Sequence, residues 1–339
     1  MLTNLEIDAN RRTPKYLQIA NSITKAIKQG KYKKGDRIFS INELSNECFL
    51  SRDTVQKAYD LLEKERIIEA VRGKGFYINR TDIVVPYRIL LVFNKLSNYK
   101  KMIYDSFIKT LGAKAVVDLK IHHSNIKLFD DIITTGMGEY DYYVVMPHFY
   151  DNNEDALQII HKIPKEQLLV LDKDLPYNND DYAAVYQDFE NDIMDALESG
   201  LTTLNKYEKL VYVHPTIHPH PMEIVYGFRN FCMQNNFSYK IMDEIKPTED
   251  IQRGEAYIVI AESDLVNLIK SCQAKKLRVG KDVGIISYNE TPLKEILLDG
   301  ITVLSTDHSR MGETAARMIL DQRSERLKNP FTLILRNSL

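Results

Sequence analysis

A polar stretch after residue 50 carries the side chains whose chemistry is easiest to interpret. Ser51 stands where the capping residue of a helix would stand, and apolar residues then repeat at helical spacing through Val55, Ala58, Tyr59 and Leu62. Four polar side chains lie early on this helix, mostly off the apolar stripe: Arg52, Thr54, Gln56 and Lys57. Such side chains near a helix N-terminus can bind phosphates and base edges of duplex DNA. An ordinary surface helix with a solvated polar face is the alternative interpretation.

Two flanking segments could extend the same contact surface. Ser40-Ile41-Asn42-Glu43 has the form of a capping box, which predicts a short helix that precedes the helix capped by Ser51. Arg72-Gly73-Lys74-Gly75 joins two predicted strands, and its glycines permit a tight turn with two cations at the tip. The sequence therefore predicts a helix-turn-helix followed by a basic hairpin, or wing, although a solvated hairpin tip would look the same. The further candidate DNA contacts are Ser40, Asn42, Arg72, Gly73 and Lys74.

Charge is distributed unevenly along the 339 residues. Residues 1–80 hold 16 lysines and arginines against 10 acidic residues, a net charge of +6, whereas the remainder holds 29 against 37, a net charge of −8. A basic front part indicates contact with a polyanion, and the length suits two domains. Both observations agree with a DNA-binding segment that precedes a larger domain.

The cysteines and the N-terminus bear on the cellular compartment. Cys48, Cys232 and Cys272 are far apart and show neither a disulfide framework nor zinc spacing, which favours a reducing compartment. The first twelve residues are polar, and no run of residues is apolar enough to span a membrane. We therefore expect a cytoplasmic protein without a membrane partner.

Residues beyond 88 alternate between short apolar strands and helices, after an extended linker at 81–87. Strands that are apolar on both faces predict parallel sheets covered on both sides by helices. We expect strands at 89–93, 142–146, 168–171, 210–213, 257–260 and 283–286, and helices at 101–111, 189–204, 222–235 and 264–273. The predicted organisation is an α+β winged helix-turn-helix domain at 1–80, a linker at 81–87, and a two-lobed α/β domain at 88–339.

Ligands of open α/β sheets bind outside the carboxyl ends of the strands. We expect those ends at 94–99, 146–149, 172–174, 187–190, 214–220, 261–264, 287–290 and 305–308. They are rich in carboxylates, amides and aromatic rings, a mixture that suits sugar hydroxyls and C–H faces, although surface loops are polar in any case. The candidate effector-binding residues are Asn98, Tyr99, His148, Asp172, Glu190, His220, Glu223, Ser263, Asp264, Asn289 and Thr306.

The sequence gives no indication of catalysis or of a metal site. His214, His218 and His220 are each followed by a proline, which disfavours the helix that an i, i+4 zinc site requires, and no cysteine is nearby. We expect this loop to lie at the ligand cleft. A nucleophile elbow, a phosphate-binding loop and a dinucleotide motif are also absent from the sequence, so we predict no catalytic residue and no cofactor.

Residues 14–78 resemble the winged-helix domain of the GntR family of bacterial transcription regulators. The matching residues are Pro14, Tyr16, Gln18, Ile19, Ile27, Gly30, Tyr32, Gly35, Asp36, Ile38, Ser40, Glu43, Leu44, Ser51, Arg52, Thr54, Val55, Ala58, Tyr59, Leu62, Gly73 and Gly75. The resemblance implies DNA contacts by Ser51, Arg52, Thr54 and the wing around Gly73. Asn42 and Gln56 stand where the family usually has base-contacting arginines. Both amides can pair with adenine, so we expect an operator richer in A·T there.

Most of residues 88–320 resemble the effector domain of LacI/GalR-type regulators, which share the periplasmic-binding-protein type I fold. The similar segments are 96–99, 169–176, 227–229, 283–290, 301–303 and 311–316. The resemblance places Glu190, Asn289 and Thr306 at effector-contacting positions, with Ser263 in place of a frequent asparagine. Ile224 stands where the family usually has an arginine that holds the sugar, so Glu223, His220 or Arg229 would have to do so.

Both resemblances predict a transcription regulator that acts as a repressor. It would bind a palindromic double-stranded operator as a homodimer and respond to a small-molecule effector, a sugar or a sugar phosphate, that closes the two lobes. A DNA-binding head fused to an enzyme-like body, and a regulator of a non-sugar metabolite, are the alternatives.

Overall fold

The computed structural model describes residue 7 and residues 13–82, 86–150, 154–176, 182–215 and 220–339. Contacts divide the chain into two units. The first comprises 1–88 with 113–116 and 136–141, and the second comprises 89–112, 117–135 and 142–339. The predicted linker at 81–87 includes residues 83–85, which lie outside the described residues.

The first unit contains the predicted helix-turn-helix and wing. Its helices are α1 (Lys15–Lys28), α2 (Ile41–Glu47) and α3 (Arg52–Lys64), and its strands are β1 (Arg37–Ile38), β2 (Ile68–Val71) and β3 (Gly75–Ile78). The strands pair antiparallel in the order β1-β3-β2. The apolar stripes of α1 and α3 form one core, in which Ile19, Ile23, Val55, Tyr59 and Leu62 are at most 1% exposed. The predicted fold of this segment is therefore confirmed.

The second unit has two lobes, each built on a six-stranded sheet. The strands of the first lobe are β4 (Tyr87–Phe93), β5 (Ala115–Ile121), β6 (Tyr142–Val145), β7 (Leu168–Lys173), β8 (Ala183–Gln187) and β14 (Arg326–Lys328). Their order is β14-β8-β7-β6-β4-β5. The helices of this lobe are α4 (Asn98–Leu111), α5 (Ile126–Gly136), α6 (Glu154–Ile160) and α12 (His308–Leu320). From β4 to β14 the pairings are parallel, as predicted.

The second lobe repeats this architecture. Its strands are β9 (Lys209–Val213), β10 (Ser238–Met242), β11 (Glu255–Val259), β12 (Gly284–Tyr288), β13 (Thr302–Thr306) and β15 (Phe331–Ile334), in the order β10-β9-β11-β12-β13-β15. Its helices are α7 (Phe189–Ser199), α8 (Leu201–Leu204), α9 (Glu223–Gln234), α10 (Glu262–Ala274) and α11 (Pro292–Ile296). The pairings are parallel except that β15 runs antiparallel to β13.

The chain passes between the lobes after β8, after β13 and after β14. The last two passages are joined by hydrogen bonds, because Asn329 Nδ2 donates to Thr306 Oγ1 at 2.7 Å and to the Asp307 carbonyl at 2.9 Å. After the second passage, α12 packs on α4 so closely that a Cβ on Gly312 would lie 2.2 Å from the Ile103 carbonyl oxygen. Few, short connections of this kind allow lobes to close as rigid bodies.

The structure differs from the sequence predictions in two respects. The helix predicted at 189–204 is divided at Gly200 into α7 and α8, where a Cβ would lie 2.4 Å from Leu333 Cδ2. Strands β5, β10, β14 and β15 were not predicted, since they consist of exposed and partly buried residues and so lack a continuous buried apolar run. In the described ranges, no helix has the length and apolar character needed to cross a membrane.

Candidate functional site

The N-terminal end of α3 is held by its own capping residues. Ser51 Oγ accepts the Thr54 N–H at 3.2 Å and lies 2.8 Å from Thr54 Oγ1. The preceding helix has the predicted capping box, in which Glu43 accepts the Ser40 N–H at 2.6 Å and Ser40 Oγ accepts the Glu43 N–H at 3.2 Å. Both predicted caps are therefore present, and they fix the first turns of the two helices that would approach DNA.

Most predicted DNA contacts in these helices are exposed. Asn42, Arg52 and Lys57 project into solvent, and none of them forms an ion pair within the described residues. Gln56 is also exposed, but its Nε2 donates to Asp60 Oδ1 at 2.7 Å, so it would exchange this bond to pair with a base. This face therefore offers two cations and the Asn42 amide to a duplex directly, and the Gln56 amide after it exchanges its bond to Asp60.

The wing is a tight hairpin between β2 and β3. Lys74 N–H donates to the Val71 carbonyl at 2.9 Å, and Gly73 has φ 74°, a conformation that favours glycine. Arg72, Gly73 and Lys74 are exposed at its tip. The structure thus places the two predicted wing cations at the end of a rigid turn.

A second site lies between the two lobes, at the carboxyl ends of their strands. Five predicted effector contacts line one cavity there, namely Tyr99, His148, Asp172, His220 and Asn289. The remaining wall consists of Asn94, Lys95, Lys100, Gln187, Phe189, Pro221, Ile224, Ile260, Tyr288 and His308. Ile224, in place of the expected arginine, thus gives this cavity an apolar surface.

Asp172 is the centre of a buried polar network in this cavity. Its Oδ2 lies 2.8 Å from His148 Nε2, and its Oδ1 accepts a hydrogen bond from Gln187 Nε2. Asp172 also has φ 72°, which holds its carboxylate at the end of β7 in a conformation that asparagine and aspartate tolerate better than most residues. Lys100, which is 2% exposed, donates from Nζ to Asn94 Oδ1.

Burial and charge set the protonation of this network. Burial alone would raise the pKa of Asp172, but the hydrogen bond from His148 and the charge of Lys100 lower it below its usual range. Burial lowers the pKa of Lys100 to about 8 and also lowers the pKa of His148. Burial lowers the pKa of His308 to about 4. At neutral pH the cavity therefore holds an ionised Asp172 beside neutral His148 and His308 and the buried ammonium group of Lys100.

The space between these side chains is small. The cavity volume is about 40 Å³. That volume holds about three ordered waters. A monosaccharide needs more space, so it enters only when the lobes separate or the side chains rearrange.

Six predicted effector contacts do not line this cavity. Asn98 and Ser263 are exposed in the first turns of α4 and α10. Glu190 accepts a hydrogen bond from Asn230 at 2.9 Å. Glu223 lies 3.9 Å from the Lys173 ammonium group. All four side chains therefore face solvent or a surface neighbour.

The other two, Asp264 and Thr306, are buried and bonded to the protein. Asp264 Oδ1 accepts the Ile245 N–H at 2.8 Å. Thr306 Oγ1 donates to the Pro330 carbonyl at 3.0 Å, beside its bond from Asn329, and so belongs to the connection between the lobes. Residues 216–219 of the histidine-rich loop lie outside the described residues, and the His214 and His220 rings that flank them have centroids 6.2 Å apart.

Sequence reasoning did not select several residues of the cavity wall. Asn94, Lys95, Gln187, Phe189, Tyr288 and His308 lie within the predicted strand ends, so the rule that located those ends could have included them. Lys100 could not be found in this way, because it lies within a helix and lysine is rarely buried.

Comparison with known proteins agrees with the division of the chain into a winged helix and a two-lobed domain. Residues 15–78 match the family model for bacterial regulatory proteins, gntR family, and residues 183–339 match the model for the periplasmic binding protein-like domain. The chain is 35% identical over 104 residues to the HTH-type transcriptional repressor YtrA of Bacillus subtilis, covering 30% of this chain and 78% of YtrA.

Other curated relatives match over a smaller part of their length. The mannosyl-D-glycerate transport/metabolism system repressor MngR of Escherichia coli is 29% identical over 119 residues, which are 35% of this chain and 42% of MngR. The arabinose metabolism transcriptional repressor of Geobacillus stearothermophilus is 37% identical over 67 residues, which are 20% of this chain and 18% of that protein. The chain therefore spans less than two thirds of the length of both relatives.

Solved structures share the fold of the larger unit. The trehalose repressor from Escherichia coli superposes with a TM-score of 0.60 at 13% identity, covering 74% of this chain and all of that chain. The Lac repressor bound to ONPG superposes with a TM-score of 0.59 at 14% identity, covering 86% of this chain and 92% of that chain. These matches and the geometry of its winged helix show that the chain belongs to the GntR family of bacterial regulatory proteins. It is a DNA-binding transcription regulator with a C-terminal periplasmic-binding-protein-like domain.

Proposed function

We propose that the protein is a repressor whose winged helix binds a palindromic duplex operator as a homodimer. A small molecule, a sugar or a sugar phosphate, binds between the lobes of the second unit and releases the operator. The protein acts by binding and not by catalysis, in the cytoplasm, where the chromosome is accessible. The domain limits we propose are 1–80 for the DNA-binding domain, 81–87 for the linker and 88–339 for the effector domain.

One observation carries this proposal, namely that an exposed cationic face and an enclosed polar cleft occur in different units of one chain. The face consists of Ser40, Asn42, Ser51, Arg52, Thr54, Gln56, Lys57, Arg72, Gly73 and Lys74, of which Ser40 and Thr54 are half-buried and the others exposed. Such groups bind phosphates and base edges. The cleft contains aromatic rings, amides and a carboxylate at the ends of parallel strands, which suits a hydroxylated ligand.

The names of relatives and of structural neighbours support a sugar as the effector. They include repressors of arabinose and mannosyl-D-glycerate metabolism and a trehalose repressor. The residues that we propose to contact the sugar are Tyr99, His148, Asp172, His220 and Asn289, which the cavity brings together.

Regulation requires the ligand to distinguish two states of the protein. A ligand shifts an equilibrium only by its difference in affinity for the two states, and the coupling to DNA is reciprocal. Because the cavity holds only about three waters in the described conformation, the sugar must bind a rearranged form. We expect the rearrangement at the Thr306–Asn329 connection to change how the two winged helices of a dimer are presented to the operator.

Two successive measurements test the proposal. Selection from random duplexes should yield a palindromic site, with A·T pairs enriched opposite Asn42 and Gln56. A thermal-shift screen of monosaccharides and their phosphates should then yield a ligand that stabilises the protein by about 2.7 kcal/mol at 100 times its Kd. That ligand should weaken binding to the selected site. Stabilisation without any change in operator affinity would contradict the proposal.

A further inference from the structure

Two lysines line the cleft at the start of α4. Lys95 is half-buried, and Lys100 is 2% exposed. Among the described residues, Lys95 has no carboxylate within ion-pairing distance, while the Lys100 ammonium group donates to the neutral amide of Asn94. The two ammonium groups are close enough for the charge of Lys95 to lower the pKa of Lys100. Lys95 therefore has no anionic partner among the described residues, whereas the charge of Lys100 is opposed by that of Asp172.

The cavity wall offers a single carboxylate to balance this charge. Asp172 is already bonded to His148 and to Gln187, as described above. Since burial lowers the pKa of both His148 and His308, these rings stay neutral at neutral pH. Two ammonium groups thus face one carboxylate, and the described wall of the cleft carries an excess positive charge.

The first turn of α4 adds to the positive electrostatic potential of the cleft. This helix is 14 residues long, has no acidic residue in its first turn, and has no side-chain cap from Ser97. The unpaired N–H groups and the dipole of a helix N-terminus favour an anion. Lys95, Tyr99 and Lys100 line the cleft from this end of the helix and from the loop before it.

Two buried polar atoms of the cleft also have no hydrogen-bond partner within the described residues. They are the hydroxyl of Tyr288, which is 5% exposed, and Oε1 of Gln187, which is 7% exposed. An unsatisfied buried polar atom costs on the order of 1–3 kcal/mol. A ligand hydroxyl that donates to Gln187, and a ligand oxygen that accepts from Tyr288, would remove that cost.

We propose that the effector is an anionic monosaccharide, whose carboxylate or phosphate is held by Lys95, Lys100 and the N-terminal end of α4. Its hydroxyl groups bond to Gln187 and Tyr288, and its C–H face lies against the apolar surface that includes Ile224. This inference rests on the proposed function, because it narrows the class of sugar that the same cleft binds. An excess charge of one sign in a partly desolvated site favours a ligand of the opposite sign.

The test uses matched series of ligands with the full chain. Each series contains a neutral sugar, its uronate and its 6-phosphate, for example D-glucose, D-glucuronate and D-glucose 6-phosphate, with the corresponding galactose and mannose series. In at least one series, calorimetry should show a charged member binding at least tenfold tighter than the neutral parent. The affinities for the uronate and for the 6-phosphate then identify which anion the site binds.

Variants at Lys95 separate charge from fold. Lys95→Met should weaken binding of the preferred anion at least tenfold and leave the affinity for its neutral parent within about twofold, while Lys95→Arg retains binding. Lys101→Met, at an exposed position of the same helix, is the matched control and should change neither affinity. The Tm of each unliganded variant confirms that it folds.

Three results would overturn the inference, and one of them would also overturn the proposed sugar-responsive function. If a neutral sugar binds as tightly as its uronate and phosphate, the effector is a neutral sugar and only this inference fails. If Lys95→Met retains full affinity for the anion, the assignment of the anion to this end of α4 fails. If no member of any series binds, the proposed sugar-responsive function fails as well.

Discussion

The winged helix and the cleft use polar side chains in opposite ways. Arg52, Lys57 and Lys74 are exposed and have no ion-pair partner in the described part of the chain, whereas Asp172 and Lys100 are buried and surrounded by neighbours. Exposed charges contribute little to folding and remain available for a polyanion. Buried charges depend on one another, so a change in one alters both ligand binding and stability. The two functions of the protein should therefore be separable by mutation, but with different side effects on stability.

The largest expected effect is the loss of operator binding in Arg52→Ala. This change removes an exposed guanidinium from the first turn of α3. A good base or phosphate contact contributes about 1–3 kcal/mol, so we expect roughly ten- to a hundredfold weaker binding by fluorescence anisotropy. Lys64→Ala, at the far end of the same helix, should bind within about twofold of the parent. A reduced thermal shift by the effector in Arg52→Ala would show that the two sites are not separate.

In the cleft, Asp172→Asn should affect stability as well as binding. Asparagine keeps the size and tolerates φ 72°, but it removes the negative charge near the buried Lys100 ammonium. Because Lys100 can lose its proton, we expect a loss of about 2 kcal/mol in the free energy of unfolding, below the usual cost of an unpaired buried charge. Urea denaturation measures this loss, with the exposed Asp195→Asn as control. Unchanged stability would mean that Asp172 does not balance Lys100.

Acid should destabilise the second unit more than the winged helix, because residues 1–80 contain no histidine. Burial lowers the pKa of His122 to about 4, so between pH 6.5 and 4 the unfolded chain binds more protons than the folded one. The free energy of unfolding therefore falls as the pH decreases through this window. His122→Asn should remove about 2 kcal/mol of that fall between pH 7 and pH 4.5. Parallel pH profiles for the variant and the parent would contradict this explanation.

The smallest effect is expected at Phe49, in the turn between α2 and α3. Its side chain is 94% exposed and its φ is 53°, so it has a strained backbone without compensating burial. Phe49→Gly should raise the free energy of unfolding of the winged helix by about 1 kcal/mol. Asn46→Gly, within α2, should instead lower it by about as much. A loss of stability in Phe49→Gly would show that this ring makes a contact that matters for folding.

Much of the winged helix could be predicted from sequence because its determinants are local. The spacing of Val55, Tyr59 and Leu62 defines the buried face of one helix, and Ser40 with Glu43 defines the start of another. Each of these features depends on residues that are a few positions apart, and the structure confirms them.

The cleft was predictable only to the level of its strand ends. The rule for parallel sheets located the loops that hold Tyr99, His148, Asp172 and Asn289, since it depends on strand direction alone. It could not decide which side chain of each loop turns inward, as Thr306 shows by bonding to Asn329 and Pro330. The burial of Lys100 depends on contacts between segments that are distant in the sequence, and no local sequence pattern predicts such contacts.

Whether the cleft controls the winged helix can be decided by measuring the coupling between the two sites in both directions. Operator affinity is determined with and without the tightest ligand of the sugar series, and ligand affinity is determined with and without the operator. Because linkage is reciprocal, we expect the same factor from both measurements, on the order of five- to a hundredfold, with the ligand weakening DNA binding. Ligand binding that leaves operator affinity unchanged would show that the cleft does not control the winged helix.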